Sequence, residues 1–303
     1  MLESIAKPVT TRVFDSLRAG RVVGTLAEGE DLAAIERTLV LAPDLALRGE
    51  AELLTHADLD LDATPELRHR QRRDKLDSLT TGSLKRYVLR VDTARGPRII
   101  KVAEIHSFGN AILGIVGSSV PRREHHFHLK AEQLGLAATR TLGFLEWRAG
   151  PRLSRACQVQ TLLPDDVESL ATFLRRQMAE HGDAALDSLG RALANTHAVP
   201  FFHADLKGFH AFVHNVSEQP QAPMTYTLRW IDLARVAFRL SQRQRIINLY
   251  QTLRFVVPTR ATAQERFMTT YCRESGWFAR DPGRGLRKVK RFLDYKYRTH
   301  PDA

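Results

Sequence analysis

Two aspartates, each at the C-terminal end of an apolar segment, have the type and spacing that phosphoryl transfer requires. Asp205 lies in the segment 203–207 (His-Ala-Asp-Leu-Lys), and Asp232 follows Trp-Ile after a strand-like run over 211–216. In such reactions one carboxylate orients the attacking hydroxyl, and a second holds Mg²⁺ on the nucleotide phosphates. The pair therefore predicts a site in which Asp205 orients an acceptor hydroxyl and Asp232 binds the metal.

Three other residues of the first loop have roles predicted by their offset from Asp205. Lys207 would offset the charge that grows on the transferred phosphoryl group, and His203 would be buried and hold the loop backbone. His210 stands where kinases place a metal-binding Asn, so we predict it as a metal ligand beside Asp232. Because Mg²⁺ prefers oxygen ligands, either the second metal is held differently or only one is used.

The residues between the two aspartates predict the element that brings them together. Residues 227–231 alternate and favour a strand, and the segment 217–223 is rich in turn formers. The range 211–231 therefore predicts a hairpin with both aspartates at one end. Leu and Ala follow Asp232 in place of Phe and Gly, and no Ala-Pro-Glu follows. We therefore expect no phosphorylation-controlled activation loop.

A phosphotransferase of this kind also needs a lysine on a strand to hold the nucleotide phosphates. Residues 87–91 and 98–102 predict two strands joined by a turn, and Lys101 lies in the second. Before them, the small-residue segment 80–83 predicts a turn whose backbone N–H groups, at Gly82 and Ser83, would cover phosphates. This segment contains a single glycine, so it is poor in glycine for a phosphate-binding loop.

A glutamate that holds the lysine is predicted on the next helix. Pro121 near a first turn and Gly135 at an end predict a helix over 121–135. Glu124 shares one face of it with Phe127, Ala131 and Leu134, which predicts that Glu124 points inward and pairs with Lys101.

The alternative for Glu124 is a solvated charged face, since Arg122, Arg123 and three histidines surround it. Those histidines are His125, His126 and His128. They do not converge with a cysteine on one helical face, so we interpret them as surface histidines rather than metal ligands.

These segments resemble the Kdo/WaaP family of lipopolysaccharide core kinases, over roughly residues 76–275. The resemblance rests on Lys101, on Arg123-Glu124 opening a helix that ends in Gln-Leu-Gly-Leu at 133–136, on His203-Ala204-Asp205, on His210 and on Ile-Asp-Leu-Ala-Arg at 231–235. Heptose kinases of this family likewise have His at the position of His210. Ala204 departs from the Arg that is common between the His and the Asp.

The resemblance implies an α+β, bilobal protein-kinase-like fold, with a β-rich N-lobe that includes one helix and a mainly helical C-lobe. The domains would be an acidic, helix-prone extension over 1–70, an N-lobe over 71–163 and a C-lobe over 164–303. The implied activity is ATP- and Mg²⁺-dependent phosphorylation of a heptose or Kdo hydroxyl in the inner core of lipopolysaccharide.

Charge and cysteine content limit the partners and the compartment. The 303 residues carry a net charge of +11. Residues 28–66 alone carry −9, so the remainder carries +20. That excess predicts a polyanionic partner: anionic lipid, phosphorylated glycolipid or nucleic acid. The acidic segment would either fold against the basic part or form a flexible arm.

Two cysteines, no signal-like apolar start and no run of membrane-span length predict a reducing, cytoplasmic location.

Two segments are predicted to touch a membrane or to pack internally. Residues 105–120 contain no Asp, Glu, Lys or Arg, so they would lie at a membrane interface, shape the acceptor site or form a lobe loop. Residues 285–298 predict a basic amphipathic helix, which would bind an anionic surface or dock its apolar stripe on the C-lobe. We expect a protein peripherally associated with the inner membrane.

Other functions remain open at this point. A kinase of the same fold would act on a protein or on a small molecule such as an aminoglycoside. A catalytically silent, kinase-like binding protein is the other alternative. It would explain the histidine at the metal-binding position, His210, and the single glycine in the segment 80–83. Nucleic-acid binding is permitted by the charge, but no recognition motif for it is present.

Overall fold

The computed structural model describes residues 12–15, 21–59, 63–82, 85–105, 119–149, 152–164, 167–217 and 224–299. The chain divides into two compact units. The first comprises Met1–Leu59, Ala63–Lys130 and Thr139–Pro164, and the second comprises Asp60–Asp62, Ala131–Ala138 and Asp165–Ala303.

Unit 1 is built on an antiparallel sheet. Its elements in chain order are β1 (Arg12–Asp15), β2 (Arg21–Leu26), α1 (Leu32–Leu47), β3 (Glu52–Leu54), α2 (Pro65–Thr80), β4 (Arg86–Thr93), β5 (Gly96–Glu104), most of α3 (Val120–Gln133), β6 (Thr141–Ala149) and β7 (Arg152–Thr161). Among the described residues, seven strands pair in the order β1-β2-β6-β7-β5-β4-β3. The predicted hairpin around residues 92–97 is confirmed as β4 and β5, with Lys101 opposite Val88. Lys101 also lies opposite Gln158 of β7.

The core of unit 1 contains α1. Ile35 and Leu39 on this helix, together with Leu89 and Ile100 on the strands, are fully buried in one cluster. Burial of such side chains stabilises a fold by roughly 1.5–3 kcal/mol each. The described part of the acidic segment is therefore folded into the unit and is not a flexible arm.

An ion pair adds to this attachment. The Glu30 carboxylate accepts two hydrogen bonds from the Arg98 guanidinium of β5, at 2.7 and 3.0 Å. Such two-pronged pairs fix geometry as well as charge. The predicted domain boundaries at residues 70 and 163 remain predictions.

Unit 2 is mainly helical. Its elements are α4 (Leu170–His181), α5 (Ala185–Ala198), β8 (Phe202–His203), β9 (Ala211–Ser217), β10 (Thr225–Trp230), β11 (Val236–Ala237), α6 (Gln242–Phe255), α7 (Ala261–Ser275) and α8 (Pro282–Thr299). The predicted second hairpin is confirmed as the antiparallel pair β9 and β10. The strands β8 and β11 form another short antiparallel pair. The chain is thus a mixed α/β protein with antiparallel sheets, and the bilobal kinase architecture stays a prediction.

The basic helix α8 docks its apolar stripe within unit 2. Leu286 and Val289 are buried, and the ring of Phe292 lies 5.7 Å from that of Tyr250 on α6. The side chains of Arg287 and Arg291 are exposed, so the basic face stays open to solvent. Within the described ranges, no helix has the length and apolar composition needed to cross a bilayer. The other predicted membrane segment falls largely on residues 106–118, outside the described residues.

Candidate active site

A partly buried ion pair lies on the sheet of unit 1. The Lys101 Nζ of β5 is 2.6 Å from Glu124 Oε1 of α3, and Glu124 is only 4% exposed. The helix begins at Val120 and Gly135 follows its end with φ +73°, close to the predicted range. The solvated-face alternative for Glu124 is therefore wrong.

The Glu124 carboxylate is ionised because of its partners. Burial alone raises the pKa of a carboxyl group, but the Lys101 ammonium outweighs it, and the pKa of Glu124 is lowered to about 2. The pair therefore presents a fixed, partly exposed ammonium, which is the group that would hold nucleotide phosphates.

His128 contradicts the prediction that the histidines of α3 lie on the surface. It is 2% exposed, its Nδ1 lies 2.8 Å from the Thr139 carbonyl oxygen, and its Nε2 lies 3.0 Å from the Gln160 amide nitrogen. The carbonyl can only accept, so Nδ1–H donates and Nε2 accepts from Gln160. His128 follows Glu124 by four residues, one helical turn, and so shares its inward face. His126 is exposed, as predicted.

The predicted phosphate-covering turn is only partly described. Gly82, two residues after the end of α2, has φ +67°, and its N–H donates to the Leu79 carbonyl at 3.1 Å. A phosphate at this amide would have to displace that hydrogen bond. Ser83 lies outside the described residues.

In unit 2, His203 links the loops of both aspartates. Strand β8 ends at His203, opposite Val236 of β11. The Asp205 N–H donates to His203 Nδ1 at 3.2 Å, and the His203 Nε2–H donates to the Asp232 carbonyl at 3.1 Å. Burial and then His210 lower the pKa of His203 to about 4, so the ring is neutral and can serve both bonds.

His210 is a second link between these loops. Its Nδ1–H donates to the Asp205 carbonyl at 2.5 Å, and its own carbonyl accepts from the Ile231 N–H at 3.1 Å. The imidazole is buried. Its other nitrogen, Nε2, keeps a lone pair and is the atom that would ligate a metal. His210 thus positions backbone on either side of the predicted site.

The side chains of Asp205 and Lys207 lie together and are accessible. Lys207 Nζ is 3.4 Å from Asp205 Oδ1, with 37% and 31% of the two side chains exposed. The ammonium also lies 5.8 Å from the centre of the Phe209 ring. A carboxylate and an ammonium are therefore presented side by side, as general base and charge stabiliser would require.

Asp232 has an unusual backbone. Its φ of 54° and ψ of 65° are in the left-handed region, which most residues with a Cβ avoid and which aspartate tolerates better than most.

Sequence reasoning missed two residues of α6 that hold the Asp205 loop. The Asn248 carboxamide donates to the His203 carbonyl at 2.5 Å and accepts from the His203 N–H at 3.4 Å. The Gln251 amide donates to the Ala204 carbonyl at 2.8 Å. The available signal was a run of polar residues at helical spacing, but exposed helix faces carry the same pattern.

The described side chains form no ready-made metal cage. Among the residues described, no group of three or more His, Cys, Asp or Glu side chains is placed to hold a metal ion. A kinase magnesium site does not need one, because one or two carboxylates share the ion with substrate phosphates and water. Asp232 fits this donor set, whereas the imidazole of His210 fits it poorly.

No protein-family profile matches the chain, and no curated protein sequence matches it. Comparison with solved structures gives WaaP in complex with acyl carrier protein, at 19% sequence identity and a TM-score of 0.42. The alignment covers 68% of this chain and 85% of that chain. Similarity at that level carries no argument about fold or function.

Proposed function

We propose that the protein is an ATP-dependent kinase that phosphorylates a heptose or Kdo hydroxyl of the lipopolysaccharide inner core. The observation that carries the proposal is the single imidazole of His203, which hydrogen-bonds the backbone at both Asp205 and Asp232. The partly buried lysine–glutamate pair in unit 1 supports the proposal, since its partly exposed ammonium would hold the nucleotide phosphates. The sugar acceptor rests on the resemblance of the sequence to the Kdo/WaaP family.

Each side chain has one task in the proposed reaction. Asp205 accepts the proton of the acceptor hydroxyl, whose oxygen forms a bond to the γ-phosphorus while the bond to the ADP oxygen breaks. Lys207 offsets the charge on the transferred group. Lys101 holds the nucleotide phosphates, and Glu124 fixes its ammonium.

Asp232 is the proposed magnesium ligand, with His210 as the second predicted one. When bound, Mg²⁺ would neutralise charge on the nucleotide phosphates. His210 already donates to the Asp205 carbonyl, so its part in the site includes holding the base in place. We assign the remaining oxygen ligands to phosphate and water, as is usual for Mg²⁺.

The basic charge supports an anionic acceptor. Outside residues 28–66 the chain carries +20, and exposed arginines on α8 include Arg284, Arg287 and Arg291. Such surfaces attract phosphorylated glycolipid and anionic lipid head groups. The proposed location is the cytoplasmic face of the inner membrane, with peripheral attachment.

The test is transfer of labelled γ-phosphate from ATP·Mg²⁺ to purified inner-core lipopolysaccharide. Asp205→Asn removes the base while keeping the shape, so we expect transfer to fall at least about 100-fold, with ATP binding retained. The matched control is Asp74→Asn on the exposed side of α2, which should leave transfer unchanged. Transfer that persists in Asp205→Asn would contradict the assignment of the base. ATP binding without transfer to lipopolysaccharide would contradict the acceptor and favour another substrate or a silent binding protein.

A further inference from the structure

A continuous chain of hydrogen-bonded side chains in unit 2 begins at the half-buried Arg245 and ends at the Asp205 loop. The Arg245 guanidinium donates to the Tyr271 hydroxyl at 2.9 Å, and that hydroxyl lies 2.8 Å from His197 Nδ1. His197 Nε2 lies 3.3 Å from Asn248 Oδ1. Asn248 in turn binds both backbone groups of His203. The chain joins helices α5, α6 and α7 to the loop that contains the proposed base.

The backbone groups of His203, where the chain meets the loop, fix which partner donates in each hydrogen bond of the chain. The His203 N–H and carbonyl require the Asn248 oxygen to accept and its nitrogen to donate. His197 must then donate from Nε2, which leaves Nδ1 to accept from the Tyr271 hydroxyl. A reversal at any point would place two acceptors or two donors together, so the chain allows one arrangement.

Three members of the chain, Tyr271, His197 and Asn248, are too buried for water to replace a lost partner. Tyr271 and Asn248 are at most 1% exposed, and His197 is 5% exposed. Burial followed by the nearby Arg245 lowers the pKa of His197 to about 3, so the ring stays neutral with one donor and one acceptor. A buried polar group left without its partner pays its full desolvation cost. Loss of one member therefore leaves the next member without a hydrogen-bond partner.

We propose that His197 and Tyr271 are positioning residues for the Asp205 loop, acting through the Asn248 carboxamide. Neither touches Asp205 or Lys207. They hold Asn248 in the one orientation that clamps His203, and His203 in turn receives the Asp205 N–H. The effect on catalysis rests on the proposed kinase function, but the effect on the loop does not.

Two tyrosines allow a matched comparison. Tyr271→Phe removes only the hydroxyl in the chain. Tyr250→Phe removes a hydroxyl that also accepts from an arginine, Arg254 at 2.6 Å, but Tyr250 has no bond to the loop. At His197, Phe deletes both ring nitrogens, whereas Gln keeps a donor for Asn248 and an acceptor for Tyr271.

The first readout is hydrogen exchange in peptides that cover residues 199–207. We expect exchange about tenfold faster in Tyr271→Phe and His197→Phe than in the unchanged chain, since one net hydrogen bond is lost. Tyr250→Phe should match the unchanged chain, and His197→Gln should restore slow exchange. Unchanged exchange in Tyr271→Phe, or an equal increase in Tyr250→Phe, would overturn the proposal.

The second readout separates the positioning role from general stability. With the lipopolysaccharide transfer assay, Tyr271→Phe should lower kcat about tenfold at an unchanged KM for ATP, because Lys101 and Glu124 are not altered. A rise in KM for ATP with kcat retained would overturn the role. If the unchanged chain transfers no phosphate, the proposed function fails, and the exchange comparison still decides the positioning of the loop. Tyr271→Phe, the smallest change, keeps the test valid if His197→Phe does not fold.

Discussion

The imidazole of His203 donates from Nε2 to the main-chain carbonyl of Asp232 at 3.1 Å, across 29 positions of sequence. Its other nitrogen accepts from the Asp205 N–H. One ring therefore fixes the spacing between the loops of the two proposed catalytic carboxylates, and it does so only while neutral, because a protonated ring cannot accept.

Acid should weaken unit 2 through this ring. The pKa of His203 is about 4 in the fold against an ordinary 6.5, so the unfolded chain takes up the proton first as pH falls. The stability from the neutral ring is complete above pH 6.5 and is lost toward pH 4, with a slope of up to about 1.4 kcal/mol per pH unit. We expect His203→Gln to flatten this slope in urea unfolding followed by tryptophan fluorescence. Equal slopes for the two proteins would contradict the prediction, while the remaining slope is expected from the buried His197 and the half-buried His125.

A methyl group on Gly208 should displace the Asp205 loop. A Cβ at Gly208 would lie 2.6 Å from the Ala171 Cβ of α4, well inside contact distance, and the Gly208 carbonyl accepts from the Ala171 N–H. Gly208→Ala should therefore lower stability by about 1–3 kcal/mol and reduce phosphate transfer. Adding Ala171→Gly removes the opposing methyl and should restore most of both. A double variant no better than Gly208→Ala would show that the clash is not the cause.

Replacing Lys101 alone should lower the free energy of unfolding more than replacing Lys101 and Glu124 together. Lys101→Met leaves the buried carboxylate without its ammonium, so we expect a loss of about 3 kcal/mol in the free energy of unfolding. Adding Glu124→Leu replaces the pair with apolar groups and should recover much of that stability, with no recovery of ATP binding. Urea unfolding and nucleotide titration measure the two effects. Equal stability of the single and double variants would contradict the uncompensated-charge argument.

His128 and His126 lie on the same helix and should respond differently to replacement. His128→Phe deprives the Thr139 carbonyl and the Gln160 amide of a buried partner, so we expect a loss of about 1–3 kcal/mol. His126→Phe changes an exposed side chain and should stay within about 0.5 kcal/mol. Thermal unfolding of the two variants gives the comparison, and similar losses in both would be inconsistent with the contacts of His128.

Local pattern was enough to predict the two hairpins and the helices α3 and α8. The strand runs on either side of residues 92–97 and the proline and glycine around α3 are short-range signals, and the elements lie within a few residues of the predicted bounds. The spacing of Glu124 and His128 already placed both on one face. The sequence nevertheless predicts a surface histidine, since the three histidines do not converge with a cysteine on one helical face. The residues that contact the buried ring, Thr139 and Gln160, lie on other segments of the chain.

Contacts between distant segments could not be predicted in this way. Asn248 lies 45 positions from His203, and nothing in α6 marks which of its polar residues turns inward. The burial of α1 against the sheet likewise depends on strands from the other end of unit 1. In both cases the tertiary partner, rather than the local sequence, decides which side of a helix is covered.

The left-handed backbone at Asp232 limits the amino acids that mutation could install there without loss. Asparagine and glycine tolerate this conformation, but each lacks the carboxylate that the proposed metal site uses. Glutamate keeps the charge but places it one methylene further out and adopts the backbone less readily. Aspartate alone satisfies both demands, so nearly every single-nucleotide change at this codon should be selected against, even in a protein with stability to spare.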